Sequence, residues 1–195
     1  MFIYYHDVRF HKDLIAAKFV DTPAALAQHA KVVFICLADP TAKHEHCTGK
    51  FGVFTRTTKD SSVVDVTATS EYHATLFSQS CRDHKVHLIN SPIHGLISHG
   101  QVEILLVSGS FVAFTNAGFA MQTFAKHIHY MNNLPLTAPR ATTILAVVQA
   151  TKVLLIAEAM TMATHLGLRL NSMHQLISMN SGDIPSSIQA INSLP

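Results

Sequence analysis

Histidine is the chemically notable residue of this sequence, because its fourteen copies equal the combined count of Lys and Arg. Imidazoles bind transition metals and exchange protons near neutral pH. The segment His44-Glu45-His46-Cys47 concentrates three types of possible ligand, and His127-Ile128-His129 would place two imidazoles on one face of a strand. Neither segment has the i, i+4 spacing of a helical HExxH site. We interpret residues 43–47 as a solvated helix end and predict no metal site.

Charge and cysteine content exclude several classes of function. Only 13% of the residues are charged and the formal net charge is +2, so the chain lacks the basic surface that nucleic acid requires. The three cysteines, Cys36, Cys47 and Cys81, show no CxxC spacing, which argues against a disulfide framework. The first residues carry no signal-peptide or transit-peptide pattern, so a cytoplasmic location is the default expectation and the true location stays unknown.

Strands alternate with helices over the first two thirds of the sequence. Apolar runs predict strands at 2–5, 32–37, 62–66, 86–89 and 102–107. Capped segments between them predict helices at about 22–30, 70–83 and 110–121, and Asp39-Pro40 repeats the cap-and-proline start of the first of these. This alternation predicts a parallel sheet covered by helical layers. One long helical run follows at about 137–165, and a second helix at about 172–179. We therefore predict an α/β domain over 1–135, then a long helix and the start of an all-α domain over 136–195.

The longest apolar run, residues 142–160, could be confused with a membrane span. It contains Gln149, Lys152 and Glu158, so it falls short of about 18 uninterrupted apolar residues. We predict a buried helix and no membrane partner.

Seven short strings resemble the β-hydroxyacid dehydrogenase family, most closely its 3-hydroxyisobutyrate dehydrogenases. In chain order they are IYYHDV, VVFICLADP, VVDVTATS, INSPIHG, VEILLVSG, IAEAMTMATHLGL and ISMNSGDIPSSIQAINSLP. The resemblance spans essentially the whole sequence. It implies a Rossmann-like domain, a nicotinamide cofactor and a small 3-hydroxy acid as substrate, and its eukaryotic members are mitochondrial.

The resemblance implies a cofactor site with several altered residues. Asp7 matches the acidic residue that follows the second strand and prefers NAD. Leu37-Ala38 matches a Leu-Pro loop that has lost its proline, and Thr67-Ala68 matches a Ser-Thr pair that has lost its threonine. We therefore expect NAD binding to be weak or lost.

The resemblance also implies that the catalytic machinery has changed. Thr142 falls where the family has its general acid/base lysine, and Ala146 falls where an asparagine holds substrate. Threonine has no accessible pKa near 7, so the general acid/base contribution should be missing. The substrate loop keeps Pro92 and Gly95, and His94 replaces the family's serine with a bulky ring. The resemblance implies that Ser91, His94 and Gly95 would lie against the substrate.

Family members are longer at both ends. Their GxGxxG turn lies about 20 residues before the acidic residue, whereas six residues precede Asp7. Without the first strand, the runs at Phe2 and Val32 would lie near 10 Å apart, so we expect them to close up or the first 20 residues to be disordered.

We therefore predict a relative of 3-hydroxyisobutyrate dehydrogenase without turnover of its own. The alternative is an interaction protein that self-associates, or pairs with an intact homologue, through the apolar run TILAVVQATKVLLIAEAM. An active enzyme that uses His94 is the third hypothesis.

Overall fold

The computed structural model describes residues 3–7, 17–37, 39–58, 60–94, 97–98 and 101–180. The strands are β1 (Ile3–Tyr5), β2 (Ala17–Phe19), β3 (Val32–Ile35), β4 (Ser62–Asp65), β5 (His87–Asn90), β6 (Ile97–Ser98), β7 (Gln101–Gly109) and β8 (Ala125–Asn132). The helices are α1 (Pro23–His29), α2 (Pro40–Thr48), α3 (Glu71–Asp83), α4 (Phe111–Gln122), α5 (Thr137–His165) and α6 (Leu170–Asn180), with a 3-10 turn at Val53–Thr55. Contacts divide the chain into two compact units, Met1–Thr142 and Thr143–Pro195. The functional domain boundary near residue 135 stays a prediction.

Side-chain caps fix where the helices begin. The Thr22 hydroxyl accepts a hydrogen bond from the Ala25 N–H at the start of α1. The Asp39 carboxylate accepts from two N–H groups at the start of α2, and in both helices a proline occupies the first turn. The sequence had predicted both of these starts.

The main sheet is mostly parallel, which confirms the predicted α/β class. Strands β3, β4 and β5 run parallel in that order, and β8 runs parallel to β7. Strand β7 is the exception, because it runs antiparallel to both β5 and β6. A parallel connection needs a crossover of a dozen or more residues, and the chain between β5 and β7 is too short for a helix.

Strand β1 belongs to a separate two-stranded sheet. It pairs in parallel with β2, from Ile3 opposite Ala17 to Tyr5 opposite Phe19. Among the described residues no backbone ladder joins β1 to β3, so the expected closure of these two strands is wrong. The strand β2, which the sequence did not predict, supplies the pairing that β1 needs.

Alternate residues of the strands fill two cores on opposite faces of the main sheet. Val63 packs with residues of α1, α2 and α3, while its neighbour Val64 packs with residues of α4. Both side chains are fully buried. This two-sided burial explains why the strands read as continuous apolar runs.

Helix α5 is mostly exposed, which contradicts the prediction of a buried helix. Only 6% of its most apolar stretch is buried, and Leu154 and Met162 are 69% and 60% exposed. In the part of the chain that the structure describes, it is the one helix long and apolar enough to cross a membrane by length and composition alone.

Candidate functional site

Hydrogen bonds join the loops that follow β3 and β4 at the carboxyl edge of the main sheet. The Thr67 hydroxyl accepts from the Leu37 N–H at 3.3 Å and donates to the Ile35 carbonyl at 3.4 Å. The Thr67 N–H donates to the Asp65 carboxylate at 3.1 Å. Two residues predicted to bind cofactor, Leu37 and Thr67, are therefore in contact. Open α/β sheets bind ligands at this edge.

The structure describes two of the three other residues that were predicted to bind cofactor. Ala68 directly follows Thr67 and is exposed, and Asp7 is exposed just beyond β1. Ala38 lies outside the described residues.

Below this edge lies a buried ion pair that sequence reasoning missed. Lys43 Nζ is 2.8 Å from Asp65 Oδ2, and both side chains are only 2% exposed. Lys43 Nζ also lies 4.7 Å from the centroid of the Phe77 ring. Because Asp65 holds the Thr67 N–H as well, the pair links α2 to the loop after β4. Lys43 lies four residues before Cys47, on the same face of α2, but this spacing does not indicate that Asp65 is its partner.

Two cysteines beside the ion pair are kept in the thiol form. Burial, with a further contribution from Asp65, raises the pKa of Cys47 to about 12. Burial also raises the pKa of Cys81 far above its usual range. Both are therefore poor nucleophiles, whereas Cys36 is exposed.

Polar side chains at the ends of β5 and β7 hold the start of α5. Asn90 Nδ2 donates to the Pro135 carbonyl at 2.8 Å, and the Ser108 hydroxyl donates to the same oxygen at 3.0 Å. The Ser108 hydroxyl also accepts from the Ala138 N–H at 2.8 Å. Asn90 and Ser108 are buried, so the first turn of α5 is fixed against the sheet.

The loop after β5 contains the residues predicted to bind substrate. Ser91 is fully buried and its hydroxyl donates to the Leu106 carbonyl at 3.0 Å. His94 is half-buried, but its Nε2 is buried with no hydrogen-bond partner among the described residues. Such an atom costs free energy unless a ligand or water satisfies it. Gly95 lies outside the described residues.

Thr142 lies near the start of α5 and is 8% exposed. Its hydroxyl donates to the backbone carbonyls of its own helix, at 2.8 Å from Ala138 O and 2.9 Å from Pro139 O. The hydroxyl proton of Thr142 is therefore already used in hydrogen bonds within α5. Ala146, one turn further along α5, is exposed and offers no polar group.

One exposed ion pair lies near the same turn of α5. Both Arg140 Nε and Nη2 donate to Glu71 Oε1, the first at 3.1 Å. The Arg140 hydrogen bonds hold the pKa of Glu71 below its usual range. The pair connects the first turns of α3 and α5, although exposed pairs of this kind stabilise proteins little.

Comparisons with known proteins agree with this architecture. Residues 6–132 match the family described as the NAD binding domain of 6-phosphogluconate dehydrogenase. The chain is 22% identical over 172 residues to the cytokine-like nuclear factor N-PAC of Drosophila pseudoobscura pseudoobscura, covering 87% of this chain but only 28% of that protein.

Solved structures share the fold at low sequence identity. The 3-hydroxyisobutyrate dehydrogenase of Salmonella typhimurium is 16% identical, with a TM-score of 0.76 over 91% of this chain and 62% of that one. An imine reductase variant of Myxococcus stipitatus in complex with NAD+ is 14% identical, with a TM-score of 0.73 over 91% and 62%. These matches show a Rossmann-like fold.

Proposed function

Because the chain belongs to the family of the NAD-binding domain of 6-phosphogluconate dehydrogenase, we propose that it binds a nicotinamide dinucleotide weakly and transfers no hydride by itself. A β-hydroxyacid dehydrogenase-like chain of this kind would keep the cofactor edge of the fold while lacking the acid/base group. The curated relative N-PAC is named as a nuclear factor, which fits a role other than turnover.

The observation that carries the proposal is the state of Thr142. Its side chain is nearly buried, and its hydroxyl donates to two carbonyls of α5. Hydride transfer to or from a hydroxy acid also moves the proton of the hydroxyl group, which needs a group that titrates near pH 7. A threonine held in this way supplies neither the pKa nor a free proton.

The residues at the carboxyl edge fit a polar ligand, although few of their groups are free. Within the described part of the chain, His94 Nε2 is buried without a hydrogen-bond partner, and a bound molecule could supply one. The Thr67 hydroxyl, in contrast, is already shared between Leu37 and Ile35. Because the Thr67 hydroxyl is already hydrogen-bonded within the protein, few polar groups at this edge can bind a dinucleotide, which supports weak binding.

Titration with NADH, followed by its fluorescence, tests the binding. We expect a saturable signal with a dissociation constant far above the micromolar range. His94→Ala should weaken NADH binding further. His84→Ala is the control and should leave NADH binding unchanged, because His84 lies at the end of α3 with its Nδ1 2.8 Å from the Ser80 carbonyl oxygen. A micromolar constant would contradict the weak site, and a signal that never saturates at millimolar NADH would contradict binding at this edge.

A second function is favoured by the exposed apolar surface of α5. Val148, Leu155 and Met162 recur every seven residues, and Val147 and Leu154 flank them; all five side chains are exposed. Apolar residues at heptad spacing form the seam by which helices pack on one another. We propose that two copies of the chain associate through this seam, and pairing with an intact homologue would use the same surface.

Analytical ultracentrifugation tests the association. The wild-type chain should sediment as a dimer or larger, and Leu154→Glu with Leu155→Glu should dissociate it. Gln149→Glu adds a charge at an exposed position of α5 outside the seam and is the control. A wild-type chain that sediments as a monomer would overturn the proposal. If that monomer also floats with lipid vesicles, the apolar surface of α5 binds lipid instead of a second copy of the chain.

A further inference from the structure

Two histidine rings from distant parts of the sequence meet beside β3. His6 follows β1 and His46 lies on α2, and their ring centroids are 5.9 Å apart with planes inclined by 43°. Both rings line one groove of about 90 Å³, whose other walls come from α1 and β3. A water molecule takes about 30 Å³ of liquid, so the groove has room for an ion and part of its hydration shell.

The hydrogen bonds of the two rings fix which nitrogen of each is available. His6 Nδ1 lies 2.9 Å from the Val20 carbonyl oxygen, and His46 Nδ1 lies 2.8 Å from the Ala42 carbonyl oxygen. A carbonyl can only accept, so each Nδ1 carries the proton. In a neutral ring each Nε2 then has a lone pair, and neither Nε2 has a hydrogen-bond partner among the described residues.

This pattern is the one that metal-binding histidines adopt. A ligating imidazole almost always donates its second ring N–H to a carbonyl or carboxylate, which fixes the tautomer and the orientation of the ring. Two imidazoles that bind one tetrahedral ion through nitrogens at 2.0–2.1 Å have their centroids roughly 5–6 Å apart. The observed separation of 5.9 Å falls in that range.

We propose that His6 and His46 form a binding site for a divalent transition-metal ion, with Zn²⁺ as the ion. Within the described residues no group of three or more His, Cys, Asp and Glu side chains could hold a metal, so water completes the coordination. Among the residues that the structure describes, no backbone ladder joins the β1–β2 sheet to the main one, so the ion would fasten that sheet to α2.

Calorimetric titration of Zn²⁺ into the untagged, chelator-treated chain tests the site. We expect one saturable class with one ion per chain, weakened at least tenfold in both His6→Phe and His46→Phe. His44→Phe changes an exposed ring two residues from His46 and should alter the affinity less than twofold. This control is needed because the other twelve histidines could bind ions weakly.

Histidine modification in the wild-type chain gives a readout that does not depend on variants folding. Diethyl pyrocarbonate followed by mass spectrometry should show that Zn²⁺ protects His6 and His46 and leaves His44 reactive. Equal Zn²⁺ affinity in both phenylalanine variants, protection spread over all histidines, or the absence of a one-to-one class would each overturn the proposal. Leu37 lines the groove and also contacts Thr67 at the carboxyl edge, so Zn²⁺ is titrated without dinucleotide and its binding is judged separately from that of NADH.

Discussion

Replacing Lys43 by Met should be among the most destabilising single changes in the first compact unit. Methionine has nearly the length of lysine and keeps its contact with Phe77, but it removes the charge that faces Asp65. The carboxylate would stay 2% exposed, with the Thr67 N–H as its remaining hydrogen-bond donor. Removing one partner of a buried ion pair costs about 3–5 kcal/mol.

This cost is large compared with the stability of a typical domain, which is about 5–15 kcal/mol. For a chain of this size each kcal/mol corresponds to about 2–4 °C, so a loss of about 3–5 kcal/mol should lower the midpoint of thermal unfolding by roughly 6–20 °C. Urea unfolding followed by circular dichroism measures the difference directly. The slope of the transition should stay unchanged, since the surface exposed on unfolding is the same.

A matched control and a double variant make this prediction specific. Lys126→Met removes the lysine of an exposed ion pair with Glu103, whose side chains are 45% and 59% exposed, and should leave the unfolding midpoint almost unchanged. Adding Asp65→Asn to Lys43→Met should recover part of the loss, because the unpaired charge is then gone. If Lys43→Met unfolds at the same urea concentration as the wild type, water reaches Asp65 and the reasoning from burial is wrong.

Four further predictions test other parts of the structure. Asn90→Ala removes a buried hydrogen bond to the start of α5 and should lower the free energy of unfolding by about 1–3 kcal/mol, measured in urea. Gly109→Ala should lower the free energy of unfolding by about 1–3 kcal/mol, measured as a lower thermal midpoint. Gly109 has φ +120°, and an added Cβ would lie 2.5 Å from the Leu88 carbonyl oxygen. Iodoacetamide at pH 8 should modify Cys36 in the folded protein and spare Cys47, as peptide mass mapping would show. The pKa of the Cys47 thiol is about 12 in the folded protein and near 9.0 for an ordinary thiol in the unfolded chain. The free energy of unfolding should therefore be unaffected by this thiol below pH 9 and should decrease as the pH rises above 9. In Cys47→Ala this decrease, measured by urea unfolding, should be less steep.

The sequence predicted the main elements because their signals are local. Thr22-Pro23 and Asp39-Pro40 marked helix starts, and the run at residues 62–66 indicated a strand. The order of strands and helices was enough to indicate the fold class. These features depend on backbone and burial preferences within a few residues.

The sequence did not predict features that depend on pairing between distant segments. Strand β2 has only three residues, too few for a periodic pattern to predict a strand, so its pairing with β1 appears only in the structure. The direction of β7 depended on the absence of a helix between it and β5. The contact between Lys43 and Asp65, and that between His6 and His46, join residues far apart in the chain and have no local signature.

The sequence predicted where the candidate site lies, but not which hydrogen bonds its side chains make. Leu37 and Thr67 do meet at the carboxyl edge. Ser91, which would need a free hydroxyl to bind substrate, is instead buried and bonded to the Leu106 carbonyl. A sequence does not show how a hydroxyl is used, because that depends on which carbonyl the fold brings near it.

The absence of hydride transfer is tested most directly by absorbance at 340 nm. The purified chain at high concentration is incubated with millimolar NAD+ or NADP+ and 3-hydroxyisobutyrate, beside an active dehydrogenase of the same family as a positive control. We predict no reduced cofactor above the rate without protein. Turnover by the wild-type chain that is lost in Thr142→Val or in His94→Ala would contradict the account, and the variant that loses it would identify the acid/base group.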